Sequence, residues 1–138
     1  MRREKLAKLM IKRAERWLES SGDALRARRY DDATYCAQMC VEQASKAVLV
    51  LLGVEYPKVH DVSDVLRAVE GKMPKWFKEK LNQMCFILTD LAKRRSLAGY
   101  GFEKGLDVSY FADIAPRALE QAKFVFENCR KFVEDFKK

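Results

Sequence analysis

The stretch YDDATYCAQMCVEQASKAVLVLLGVEYPKVHD, from Tyr30 to Asp61, constrains the fold more than any other part of this chain. It opens on a helix start, runs about six helical turns of apolar surface, stops at Gly53, turns through Pro57 and restarts at Asp61. Cys36, Cys40, Ala44, Ala47, Val48, Leu51 and Leu52 recur at helical spacing and form a wide apolar stripe. Few polar groups interrupt it: Gln38, Glu42, Gln43 and Lys46. Glu42 and Lys46 stand in the favourable i,i+4 order for an ion pair. The spacing predicts a helix over Asp32 to Leu52. Tyr30-Asp31-Asp32 is read as the turn before it, either Asp serving as N-cap, and Gly53 as the left-handed residue that ends it.

Four more helices follow from the same periodicity. The first covers Glu4 to Ala27, with Leu6, Leu9, Met10, Ala14, Trp17, Leu18, Ala24 and Leu25 as its apolar set. Ser20-Ser21-Gly22 is its expected weak point. A short helix spans Val62 to Val69, N-capped by Asp61 and ended by Gly71. The next covers Lys75 to Ala98, with Pro74 at its first turn and Lys93-Arg94-Arg95 near its negative end. Gly99-Tyr100-Gly101 should break it, and Phe102 to Ser109 should form a loop. The last covers Phe111 to Phe136, with Pro116 early enough to be tolerated. Only six glycines and three prolines punctuate the chain, which argues against an all-β fold. The expected architecture is all-α: one domain over 1–138, an up-and-down antiparallel four-helix bundle with an extra short helix. Its wide, aromatic-rich stripes leave apolar surface that a homodimer would cover.

Composition narrows the function. Net charge is +7, so nucleic acid, a nucleotide or an acidic protein are compatible partners. The basic residues are spread along the chain, however, as on an ordinary solvated surface. The N-terminal MRREKLAKLM is too charged for a signal peptide, and no apolar run approaches membrane-spanning length, so the sequence predicts a cytoplasmic protein with no membrane contact. Cys36, Cys40, Cys85 and Cys129 fall on apolar helical faces and read as small hydrophobes. With one histidine, His60, a zinc site is not expected, and no metal or cofactor is called for.

The chain has no Gly-rich phosphate loop after a strand, no Glu-x-x-His pair and no Ser-His-Asp set that sequence can justify. Two places remain. In Lys93-Arg94-Arg95-Ser96-Leu97-Ala98-Gly99-Tyr100-Gly101, guanidinium forks suit phosphate oxygens, and a phenol can stack on a base or donate its hydroxyl. The plainer role is a helix C-terminus satisfied by Arg94 and Arg95, with Tyr100 packed on a neighbour. In His60-Asp61, a histidine beside a helix N-terminus could meet phosphate or cap its own loop. Lys46 and Gln43 on the second helix face either a partner or solvent.

DDATYCAQMCVEQASKAVLVLLG, the following P-x-x-HD at Pro57, His60 and Asp61, and the later RRSLAGYG together resemble the HEPN domain family over nearly the whole chain, in particular its small stand-alone members. The resemblance implies a dimerising helical bundle with a nucleotide- or RNA-linked role. Many members are metal-independent ribonuclease toxins paired with a small nucleotidyltransferase antitoxin, and others bind nucleotides or partners without catalysis. Active members use an Arg and a His a few residues apart late in the bundle, two copies meeting across the dimer. Here Arg95, or Arg94, stands at the Arg position, and Tyr100 stands where the His would be. A phenol with a pKa of about 10 is a poor base at neutral pH but can donate a hydrogen bond. The resemblance therefore implies phosphate binding by Arg94 and Arg95, with Arg95 and Tyr100 as the pair for any RNA cleavage; Lys46 and His60 join the expected phosphate-binding set from the reading of the residues themselves. A purely structural interaction module remains the third reading.

Overall fold

The computed structural model describes residues 2–136. They form five α-helices and no strand: α1 (Arg2–Arg26), α2 (Tyr30–Leu51), α3 (Ser63–Ala68), α4 (Lys75–Tyr100) and α5 (Ile114–Asp135). Short 3-10 turns at Glu70–Lys72, Gly101–Lys104 and Val108–Phe111 fill the connections. The fold is the all-α bundle the periodicity implies, four long helices and one short. Among the described residues no helix is long and apolar enough to cross a membrane.

The most apolar helix, α2, is the central one and packs against α1, α4 and α5. Its Cys40, Val41, Ala44, Val48 and Leu51 meet Phe77, Leu81, Met84, Leu88 and Leu91 of α4 and Ala122, Val125, Cys129 and Phe132 of α5 in one core. The face of α1 turned inward is small, with Ala7, Ala14 and Ser21 buried at heptad spacing. Small residues let two helices approach closely. The expected weak point at Ser20-Ser21-Gly22 does not materialise, because the Ser21 hydroxyl donates to the Ala33 carbonyl at 2.7 Å and ties α1 to the start of α2.

Two helix ends share one device. Gly53 (φ +73°) closes α2, its N–H donating to Val50 O and that of Val54 to Leu49 O, the paired bonds of a Schellman cap. Arg28 (φ +62°) closes α1 in the same way, through Arg28 N–H to Leu25 O and Arg29 N–H to Ala24 O. This tight turn delivers the chain to α2 two residues sooner than expected. Tyr30 is already helical, Arg29 holds the N-cap position without a side-chain bond, and Asp31 and Asp32 sit in the first turn as charges favourable to the dipole. A non-glycine residue in the left-handed region costs about 1–2 kcal/mol, part of which glycine returns as unfolded-chain entropy. Arg28→Gly is therefore expected to stabilise the protein by about 0.5–1 kcal/mol, seen as a rise of a few degrees in the unfolding midpoint. An unchanged or lower midpoint would contradict this reading of the turn.

The other boundaries differ for local reasons. Helix α3 is shorter than expected, and Gly71 lies in the 3-10 turn after it. Val62, and not Asp61, holds the N-cap position of α3; Asp61, one residue earlier, accepts from the Ser63 N–H at 2.9 Å and from Thr89 Oγ1 of α4 at 2.8 Å. Helix α4 runs through Gly99 to Tyr100, and the chain stays wound to Lys104. Gly101 serves proximity and not interruption, since a Cβ there would come within 3.0 Å of Leu106 Cδ1. The stop is Gly105 (φ +82°). Phe111 belongs to a 3-10 turn capped by Asp107, and α5 begins at Ile114, which puts Pro116 in its first turn. All four cysteines are free thiols, with Cys40, Cys85 and Cys129 buried and Cys36 half-buried. Burial pushes the Cys129 thiol up to about 12, so it is held neutral as a core group.

Candidate functional site

The polar residues of α2 at positions 35, 38, 42 and 46 recur every three or four residues, so they share one face of the helix. That face looks toward α4 and the loop before α3, and it forms a polar seam in an otherwise apolar interface.

At one end of the seam sits Glu42, buried to 6% exposure. Lys46 Nζ donates to its Oε2 at 2.8 Å and Gln38 Nε2 to its Oε1 at 3.1 Å. His60 Nδ1 lies 2.8 Å from the same Oε1. Burial by itself would raise the Glu42 pKa. The hydrogen bonds from Lys46, His60 and Gln38 outweigh it and hold the carboxyl below its ordinary value. Lys46 is further enclosed by the Tyr56 ring, 5.4 Å from its centroid. Two of the four expected phosphate ligands, Lys46 and His60, thus both close on one carboxylate.

At the other end is Arg95. Its guanidinium lies over the Tyr35 ring, 4.8 Å from the centroid, and its Nη2 donates to the Tyr35 hydroxyl at 3.0 Å. Its Nε is buried without an acceptor, as is the Gln38 Oε1 without a donor. Gly99 leaves room beside this arrangement, a Cβ there meeting Tyr35 Cε2 at 3.9 Å.

Arg94 points elsewhere. One residue is about 100° of helix rotation, and that is enough to turn Arg94 toward α5. Its Nε donates to Asp90 Oδ2 at 3.2 Å. It lines a small cleft of about 140 Å³ with Phe86, Asp90, Ile114, Arg117 and Gln121. The two arginines therefore flank α4, one on the α2 side and one on the α5 side.

Tyr100, five residues beyond Arg95, is rotated from it by about 140° and lies about 7.5 Å further along the axis. It is 62% exposed. Within one chain Arg95 turns in and Tyr100 turns out. Phe102, Val108 and Tyr110, in the segment that follows, are exposed as well. Among the described residues no three His, Cys, Asp or Glu side chains gather as a metal-binding group.

Sequence reasoning missed Tyr35, the residue that orients Arg95, and missed that His60 meets Glu42. Tyr35 shares the polar face of α2 with Gln38, Glu42 and Lys46, a periodic signal present in the sequence.

The HEPN domain family matches residues 7–137. A protein of Methanocaldococcus jannaschii named "Putative toxin" is 38% identical over 133 residues, covering 95% of this chain and 83% of that protein. No solved structure matches the chain.

Proposed function

The chain belongs to the HEPN family, and from that premise we propose that it is a homodimeric module that holds a nucleotide or RNA phosphate and acts with a nucleotidyltransferase partner in a toxin–antitoxin-like pair. The observation that carries this reading is Arg95, whose guanidinium is stacked and hydrogen-bonded on Tyr35 at the end of a polar seam. A preset guanidinium plane suits bidentate contact with phosphate oxygens. Arg94 adds a second cation on the other side of α4, beside Arg117. Lys46 and His60 both bind Glu42, which ties the loop before α3 to α2. Tyr100, Phe102, Val108 and Tyr110, all exposed within one short stretch of chain at the end of α4, support the dimer, since exposed aromatic groups close together favour a covering partner. The name of the Methanocaldococcus jannaschii relative supports the toxin–antitoxin setting.

A second reading is metal-independent RNA cleavage by Arg95 and Tyr100. In it the guanidinium stabilises the crowded, doubly charged phosphorus centre, and the phenol of a second copy orients the 2′-hydroxyl or leaving oxygen. The outward direction of Tyr100 makes a second copy necessary in this reading.

The test is one preparation with two readouts. Nucleotides and a short single-stranded RNA are titrated at low salt, and RNA cleavage is followed with EDTA present, each beside the Arg94→Ala/Arg95→Ala double variant. Binding by the parent that falls at least tenfold in the variant is the expected result. Cleavage that vanishes in the variant would promote the second reading. A parent that neither binds nor cleaves would leave only the interaction module.

A further inference from the structure

The cationic residues of α1 lie outside the site described above, yet an unbroken series of contacts joins them to it. The Arg13 guanidinium sits over the Trp17 ring at 5.1 Å. Trp17 meets Tyr35 edge-on, with ring centroids 6.5 Å apart. Tyr35 in turn carries Arg95. Two adjoining aromatic rings thus link two cations across α1, α2 and α4.

The α1 end of this series opens on a surface cleft of about 240 Å³ lined by Arg13, Arg16, Trp17 and Ser20. These four residues fall on one helical face by their spacing of three and four. No acidic side chain lines the cleft. Glu15 lies in a different cleft with Lys8 and Lys12, and Asp23, one turn beyond Ser20, is taken up by Arg26. Neither Arg13 nor Arg16 has an acidic partner among the described ion pairs. The indole Nε1 of Trp17 is a buried donor with no acceptor, which marks this wall as one not optimised for the isolated chain alone.

We infer that Arg13, Arg16 and Trp17 form a second contact for single-stranded RNA, a track on α1 that leads to Arg95. The inference rests on the proposed phosphate binding at Arg95 and extends it from a single phosphate to a strand. The chemistry is that of single-strand binders, in which spaced cations follow the backbone and aromatic rings next to them accept bases without sequence preference. A mononucleotide held at Arg95 cannot also fill the α1 cleft, whereas a strand of several nucleotides can. Strand length thus separates the two sites.

The experiment compares a mononucleotide with a single-stranded uridine octamer, for the parent, Arg13→Ala/Arg16→Ala and Arg94→Ala/Arg95→Ala. Both α1 side chains are exposed, so the fold should persist, and circular dichroism with the unfolding midpoint checks this. The α1 variant is expected to lose about tenfold or more in octamer affinity and to keep mononucleotide affinity. Each lost phosphate contact lowers the slope of log affinity against log salt by about 0.7, so its slope should fall by roughly 1.4. Equal octamer affinity and equal slope in parent and α1 variant, with binding still lost in the α4 variant, would overturn the track and spare the Arg95 site. No binding of either ligand by the parent would overturn both. If affinity for polyglutamate falls in step with that for the octamer, the α1 face is an acidic-protein surface and the RNA track is wrong.

Discussion

Replacing Glu42 by alanine should lower the unfolding midpoint by about 10 °C or more, from a loss of about 3–5 kcal/mol. The reason lies in what the substitution leaves behind. Lys46 is only 12% exposed at its side chain and has its ammonium 2.8 Å from the carboxylate. Without Glu42 that charge is buried and unpaired, and Gln38 and His60 lose their shared acceptor. Removing both charges is a smaller injury, because no unpaired ion remains. Glu42→Met with Lys46→Met is expected to be more stable than Glu42→Met alone, a non-additivity that the cycle with both single Met variants reads directly. The pH dependence has a definite sign. The folded-state pKa of Glu42 is depressed, so its contribution is complete above the unfolded value and is lost as pH falls through the folded one. The stability gap between the parent and Glu42→Gln should thus be wide at neutral pH and close below about pH 4. Urea unfolding at three pH values measures it, and a gap that stays constant into acid would mean that Glu42 acts through packing and not charge.

The parts of this molecule that sequence reveals are those governed by near neighbours. Helix α2 is visible because its apolar stripe is continuous, and its end is visible because Gly53 supplies a left-handed residue at no steric cost. The Glu42–Lys46 pair is visible because it spans one helical turn. Arg28 hides the end of α1 because it performs the same left-handed turn without the residue that announces it. Gly99 and Gly101 mislead in the other direction. They look like a break, but the helix runs through Gly99, and Gly101 is there because Leu106 comes close. The site depends on distant pairs. Arg95 finds Tyr35 across 60 positions, and His60 finds Glu42 across 18. Such pairs depend on how helices align side by side, which periodicity within one helix does not specify. The family resemblance supplied Arg95 and Tyr100 as residues of interest. It did not supply Tyr35, which decides where Arg95 points.

That orientation makes Arg95 the residue for which lysine is no substitute. Its guanidinium meets two requirements together, a flat face on the Tyr35 ring and an N–H to the Tyr35 hydroxyl. A lysine ammonium is a point charge on a flexible stem and cannot hold both while offering a planar fork to phosphate. Arg95→Lys and Arg95→Ala are therefore expected to weaken nucleotide or RNA binding alike, by about 10–100-fold, the value of one to two charge-assisted hydrogen bonds. Arg94 is the internal control. It pairs with Asp90 within its own helix and serves as a charge beside Arg117, so Arg94→Lys should bind within a few-fold of the parent. Tyr35→Phe keeps the ring and removes the hydroxyl, and should fall between the two. Stability should move little in the Arg95 variants, because the buried Nε without an acceptor already offsets part of what the stacking contributes. Calorimetric titration at low salt on the four variants gives the order. If Arg95→Lys binds as the parent does, Tyr35 does not orient a phosphate ligand's partner, and the seam at this end is a helix-packing contact with no part in recognition.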